Sequence, residues 1–384
     1  MLEQGAIKVG FATNESLAGG PPSADITYIF EDAQSAVCLA VPLDRDKIRA
    51  FFRKDLPNGR IEHETDNIEA YLKAYQISYL IVQFLREKGY KAEVLIPNFK
   101  YRRDVPGWRL RSIPPVSLRY LAVRSGVGSY GWSGNIGTKG YGTAIILGGL
   151  VTSATLEPTD PVSPDESFCN QCKLCVQVCP MRMFSGNEEE SVKLGGYKFN
   201  FSKRRNLMRC FISCGGFSGL DKTEKWSTWS LGRHPYPETD EEVIETLADS
   251  FQFSNEVKIA GEKEGFNYKE HIKDPEFQEP LKGKGIKRTI KMIKNTTLTC
   301  GNCQLVCWGD PEETRINYGI LTKSGCVVKD ANGNLIVLPP EEAAKHHAMQ
   351  KKPNIFKRIG RGILRRIAKW YLNRHYEYLT GDRS

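Results

Sequence analysis

Apolar positions along the first 160 residues fall into two rhythms. Residues 35–43, SAVCLAVPL, form a short unbroken apolar run, the pattern of a strand buried on both faces. Residues 66–88 place Ile68, Leu72, Tyr75, Tyr79 and Val82 at helical spacing, flanked by Tyr71 and Leu85, and predict an amphipathic helix that Gly89 closes. KAEVLIP predicts the next strand. After Pro114-Pro115, VSLRYLAVRSG predicts a short helix, and AIILGGLVT a further strand. Helices and strands alternating in this way predict an α/β domain over residues 1–160.

The rhythm breaks at residues 126–143, GVGSYGWSGNIGTKGYGT, where glycine recurs every two or three positions. No GK[ST] follows a four-residue spacer, so this is not a phosphate-binding Walker loop. Gly126, Gly128 and Gly131 do fit G-x-G-x-x-G, but the segment before them reads as helix, whereas a dinucleotide fingerprint follows a strand. Glycine lets backbone amides approach a large planar or anionic ligand closely. The plain alternative is an irregular surface loop. Farther on, residues 161–320 read as a second module with a polar insert at 216–295 that carries Trp226, Trp229, His234 and Tyr236 near its start. Residues 321–350 read as hairpin and linker: Ile320 to Leu338 predict the hairpin, turning at Asn332-Gly333, and EEAAKHHAMQ a short helix.

Cysteine changes the picture most. FCNQCKLCVQVCP places Cys169, Cys172, Cys175 and Cys179 in a C-x2-C-x2-C-x3-C-P run, the ligand pattern of bacterial ferredoxins. CGNCQLVC adds Cys300, Cys303 and Cys307. A [4Fe–4S] cube needs four converging thiolates, and the cysteine before proline ligates the other cluster. The spacing therefore groups Cys169, Cys172 and Cys175 with Cys307, and Cys179 with Cys300, Cys303 and either Cys210 or Cys214. Zinc favours paired C-x2-C knuckles, and disulfides would need an oxidising compartment, for which no export signal is read. Two [4Fe–4S] clusters and single-electron chemistry are expected. Cys38 and Cys326 read as buried structural residues.

Charge is concentrated at one end. Residues 351–384 hold ten Lys or Arg against two acids, nearly all of the net +9. Ile355, Ile359, Ile363, Ile367 and Tyr371 recur every four residues among these cations, which predicts a basic amphipathic helix over residues 351–376, suited to an anionic membrane surface. Docking on its own protein or on RNA are the alternatives. No apolar run is long enough to cross a bilayer. The expected location is cytoplasmic, peripheral on the inner membrane face.

From about residue 30 to 312 the chain resembles the epoxyqueuosine reductase and reductive dehalogenase superfamily. SLRYLAVRSGVGSYGWSGNI is similar to that family's helix and glycine loop, GTAIILGGLVTSATLEPTDP to the following strand, and the two cysteine runs to its two ferredoxin runs. Arg209-Cys210-Phe211-Ile212-Ser213 resembles the segment that supplies a lone cluster ligand, which favours Cys210 over Cys214. The resemblance implies an α+β chain: a nitroreductase-like α/β domain holding cobalamin, a ferredoxin-like two-cluster module, then the basic C-terminal helix. It makes Gly126, Gly128, Tyr130, Gly131, Asn135 and Gly142 candidate corrinoid contacts. Electrons would pass from an external donor (a ferredoxin, a flavodoxin or a membrane donor) through both clusters to the corrinoid, which would reduce a small organic substrate.

Three departures stand against a simple transfer of function. Ser112 occupies the place of the family's catalytic Asp, with Tyr101, Arg109 and Arg111 as weak substitutes, and a serine is a poor proton donor beside a carboxylic acid. Trp132-Ser133 replaces the loop Lys-Asn, and Trp308-Gly309 follows the last cysteine. No counterpart of the family's tRNA-binding repeats is read, so tRNA is the least expected partner. The alternatives are an electron-transfer protein without corrinoid and, last, a tRNA-modifying epoxyqueuosine-type reductase.

Overall fold

The computed structural model describes residues 1–97, 101–253 and 298–349, with isolated positions between 362 and 374. Its central sheet has four strands: β1 (Lys8–Thr13), β2 (Ser35–Pro42), β3 (Ala92–Leu95) and β6 (Ile145–Thr152), in the order β1-β2-β6-β3. Every pairing is antiparallel. The class is mixed α and β. Two short strands, β4 (Ser129–Tyr130) and β5 (Ile136–Gly137), pair inside the glycine-rich loop.

β2 is an unbroken apolar run because both its faces are covered. Leu39 and Val41 pack with Ala70, Ala74 and Ile77 of the helix Gly59–Glu87. Cys38 and Ala40 pack with Leu121 and Ala122 of the helix Leu118–Arg124. Each fully buried Val or Leu of this kind contributes about 1.5–3 kcal/mol. β1 pairs along the outer edge of β2 and was not predicted: KVGFAT is half exposed, and its neighbours, not its composition, make it a strand.

The apolar core does not stop at residue 160. Ile48, Phe51 and Phe52 share one buried cluster with Val178, Trp226, Trp229, Leu305, Val306 and Trp308. The Trp229 indole N–H donates to Phe51 O at 3.1 Å. The Trp308 ring lies beneath Arg49 and Arg45, whose guanidinium carbons stand 4.4 and 4.8 Å from its centroid. The start of the segment read as a polar insert is thus core, because Trp226, Trp229 and Leu231 are buried; residues 254–297 lie outside the described residues.

Between Cys179 and Cys210 rises an unpredicted hairpin, β7 (Phe184–Leu194) and β8 (Tyr197–Arg204). Its tip is seated on the sheet domain: Leu194 is buried beside Leu17 and Ala24, and Gly195 N–H donates to Ala18 O at 2.9 Å. A second hairpin, β9 (Cys326–Lys329) and β10 (Leu335–Leu338), turns at Asn332-Gly333 as expected. It begins later than its predicted start at Ile320, because Pro311–Lys323 is a helix whose N-cap Asp310 accepts from Glu313 N–H at 2.8 Å. Most of the predicted tail helix, 351–376, lies outside the described residues. The described tail positions are helical; Ile367 and Trp370 are exposed, and Lys369 pairs with Glu245 at 2.6 Å. Among the described residues no helix is long and apolar enough to cross a membrane.

Candidate iron–sulfur centre

Three short segments bring the cysteines together. In the first run Gln171 and Lys173 both adopt left-handed backbone, with φ of 58 and 60°, which curls the chain between Cys169 and Cys175 back on itself. Cys175 lies on the helix Leu174–Gln177. Gly301, at φ 118°, turns Cys300 into the helix Asn302–Leu305 that carries Cys303. The Asn302 side-chain amide donates to Val178 O at 3.3 Å and ties the two runs together. Cys210 and Cys214 stand one turn apart on the helix Met208–Cys214. That helix is fixed by the buried Arg209, whose guanidinium donates to Pro237 O at 2.7 Å and Glu238 O at 3.0 Å.

The thiols form two neighbourhoods. Cys175 feels Cys169, Cys172 and Cys307, and Cys307 feels Cys169 and Cys172. Cys179 feels Cys210, Cys300 and Cys303, and Cys303 feels Cys210 and Cys300. Cys303 also acts on Cys175, so it stands where the two neighbourhoods meet. Burial pushes the Cys175 and Cys303 thiols up to about 12 and Cys179 higher still. Cys214 is raised by its contacts with Cys210 and Cys300 and then by burial, and its contact lowers both of those thiols.

Buried thiols held this firmly in the neutral form ionise when a positively charged inorganic core replaces the proton. Their sulfurs already accept hydrogen bonds as bound thiolates do. Trp132 N–H donates to Cys169 Sγ at 3.3 Å, Met183 N–H to Cys179 Sγ at 3.4 Å, and the Asn135 amide to Cys303 Sγ at 3.6 Å. Among the described residues no three His, Cys, Asp or Glu converge closely enough to hold a single metal ion. The donor set fits iron–sulfur clusters.

The residues expected to hold a corrinoid pack closely against the chain's own atoms. Added Cβ atoms would strike the chain's own backbone: Gly126 at Asp160 O (2.2 Å), Gly128 at Gly137 O (2.4 Å), and Gly142 at Cys307 O and Gly309 N (both 2.3 Å). At Gly131 a Cβ would meet the Phe168 ring at 3.0 Å. Tyr130 is buried against Phe201, ring centroids 4.8 Å apart, and Asn135 faces Cys303. These glycines allow the loop to sit tightly against the cysteine runs and its own strands; of the six contacts expected for a corrinoid, Tyr130 and Gly131 line the cavity beside the loop. The cavity beside the loop, lined by Trp132, Cys169, Gln171 and Phe201 among others, holds about 140 Å³, against roughly 300–1,000 Å³ for ligand pockets in general. A larger cavity of about 410 Å³ opens at Phe30, Arg86 and Tyr90 and contains no thiol.

The weak catalytic candidates lie on a separate segment. Tyr101 stacks on Trp108 at 5.9 Å between ring centroids, and Arg111 is exposed. Ser112 caps the helix Trp108–Arg111 in left-handed backbone, φ 48°; the side chain of Arg109 lies outside the described residues. Arg102 fastens this segment to the turns at Pro22–Tyr28, with its guanidinium 4.0 Å over the Tyr28 ring. Sequence reasoning missed the amides of Trp132 and Met183 as sulfur donors, since a backbone N–H carries no residue-type signal. Arg204, folded back onto the loop by β8, was missed because only pairing in space places its guanidinium on Ser133 O.

The 4Fe-4S binding domain family matches residues 162–185. Epoxyqueuosine reductase from Synechocystis sp. is 35% identical over 177 residues, 46% of this chain and 55% of that protein. The enzyme of the same name from Atelocyanobacterium thalassa is 22% identical over 179 residues, 47% of this chain and 52% of its own length. The chain thus spans about half the length of the curated relatives it matches. A solved catabolic reductive dehalogenase is 16% identical over 55% of this chain and 27% of its own, at a TM-score of 0.40, too low a likeness to carry a shared fold. In its cysteine runs and its matched 4Fe-4S segment the chain is similar, over about half its length, to epoxyqueuosine reductases.

Proposed function

We propose that the chain is an iron–sulfur reductase that carries two [4Fe–4S] clusters and relays single electrons from an external donor to an acceptor. Cys169, Cys172, Cys175 and Cys307 hold the first cluster; Cys179, Cys210, Cys300 and Cys303 hold the second. The observation that carries this reading is the first cysteine run, matched by the 4Fe-4S binding domain family and tied to the second run by the Asn302 amide on Val178 O. Clusters held there supply one-electron transfer. The protein buries the thiolates, donates N–H groups to their sulfurs and keeps the two sets side by side. The relatives' names support reductase chemistry.

The filled surroundings of the glycine loop favour an acceptor other than a corrinoid seated there. Anaerobic reconstitution tests the core of the proposal. About eight irons per chain with two interacting EPR-active centres is the expected result; a single bound ion, or iron lost on desalting, would overturn it. The second reading is reduction of an epoxyqueuosine-type base in tRNA, favoured by the name the curated relatives share. A salt-sensitive shift of tRNA by the loaded protein is its test.

A further inference from the structure

The loop Tyr130–Asn135 touches both thiol neighbourhoods at once. Trp132 N–H donates to Cys169 Sγ at 3.3 Å, and three residues later the Asn135 amide donates to Cys303 Sγ at 3.6 Å. The loop closes on itself, with Gly131 N–H donating to Asn135 O and Gly134 N–H to Gly131 O, both at 2.8 Å. It is also clamped from outside by the β7–β8 hairpin. Ser202 N–H donates to Trp132 O at 2.7 Å, the Trp132 indole to Ser185 O at 2.9 Å, and the Arg204 guanidinium to Ser133 O at 3.1 Å.

The clamp carries more positive charge on one side than on the other. Arg119 donates to Gly134 O at 3.2 Å, so two guanidinium groups lie over Ser133–Gly134, next to Asn135. Gly134 has φ +72°, and a Cβ there would meet Arg204 Nη2 at 2.8 Å, which shows how closely the fork is held. Arg204 Nε is buried without a hydrogen-bond partner among the described residues. On the Cys169 side the ammonium of Lys173 sits 4.1 Å over the Trp132 ring, on a half-buried side chain.

Resting on the two-cluster reading above, we propose that the clamped loop holds the clusters at different potentials, Asn135 and Arg204 raising the second above the first. A cluster that accepts an electron becomes more negative. Donors to its sulfurs and a buried positive charge beside it stabilise that state, and the effect grows where water is excluded. One electron then moves from the first cluster, which is oxidised, to the second, which is reduced, after an external low-potential donor has loaded the first.

The test is an EPR-monitored redox titration of the full-length reconstituted protein with dithionite. Wild type gives two one-electron waves. Asn135→Leu moves one wave to lower potential by about tenfold in the reduction equilibrium, ~59 mV for one electron. Arg204→Gln moves the same wave in the same direction, and Arg204→Lys restores part of the loss. Cys303→Ser identifies that wave as the second cluster by changing its spectrum. Waves that stay put, or move together, in protein holding its full iron would overturn the tuning role alone. Wild type that retains no iron would overturn the cluster reading itself.

Discussion

The sulfur of Cys214 lies 3.5 Å from that of Cys210, and a ninth thiol beside eight corners raises the question of which is the ligand. Cys210 acts on Cys179 and Cys303 and is itself acted on by Cys300, whereas Cys214 acts on Cys210 and Cys300. We therefore propose Cys210, not Cys214, as the fourth corner of the second cluster. Cys210→Ser is expected to lose about half of the bound iron and Cys214→Ser to retain it, as an iron assay and EPR after reconstitution would show. His63 is a residue-scale case of another kind. Its ring is fully buried 4.9 Å from Phe51, with both nitrogens unpartnered among the described residues, and burial lowers its pKa to about 4. The unfolded chain takes up a proton near pH 6.5 that the folded one refuses until about pH 4. This contribution to stability is complete above pH 6.5 and lost as the pH falls toward 4, by roughly 3 kcal/mol. His63→Leu should flatten the slope of the urea midpoint between pH 7 and 5; an unchanged slope would show that His63 is not the group responsible.

At the scale of elements, the β7–β8 hairpin decides how the cysteine module sits on the sheet. Its tip is held by Leu194 and by Gly195 N–H on Ala18 O, and its base by Arg204 and Ser202 on the glycine loop. Leu194→Ala removes a fully buried side chain and is expected to cost about 2–5 kcal/mol. The loss should fall on the hairpin first, as faster amide exchange and proteolysis across 187–198, with the central sheet still protected. Uniform loss of protection would show instead that hairpin and sheet unfold together.

At the scale of the whole molecule, one apolar core joins the sheet domain to the cysteine runs, with Trp229 and Trp308 at the junction. Most of the glycine loop is buried, and Gly126, Gly128 and Gly142 are spent on close approach of backbone to backbone. The reconstituted chain is therefore expected to retain no stoichiometric corrinoid when incubated anaerobically with hydroxocobalamin and desalted. An optical spectrum with one corrinoid per chain would reverse that assignment and restore the first expectation.

Covalent spacing and local rhythm were enough, from sequence alone, to read the two cysteine runs, the buried strand at 35–42, the long helix before Gly89, and the Asn332-Gly333 turn. Each of these depends on residues close together in the chain: thiols that must wrap one object, a run that must be covered on both faces, a turn that needs positive φ. The edge strand β1, the seating of the β7–β8 hairpin on the sheet domain and the burial of Trp226 and Trp229 were not legible, because each owes its state to partners more than 20 residues away. The same holds for the glycine loop. Its sequence says only that something approaches closely. The tertiary structure decides that the approaching group is the chain's own backbone, at Cys307–Gly309 and Asp160, and that Trp132 and Asn135 point their N–H groups at two different thiols. Residue type announces a donor set; only folding decides what shares its space.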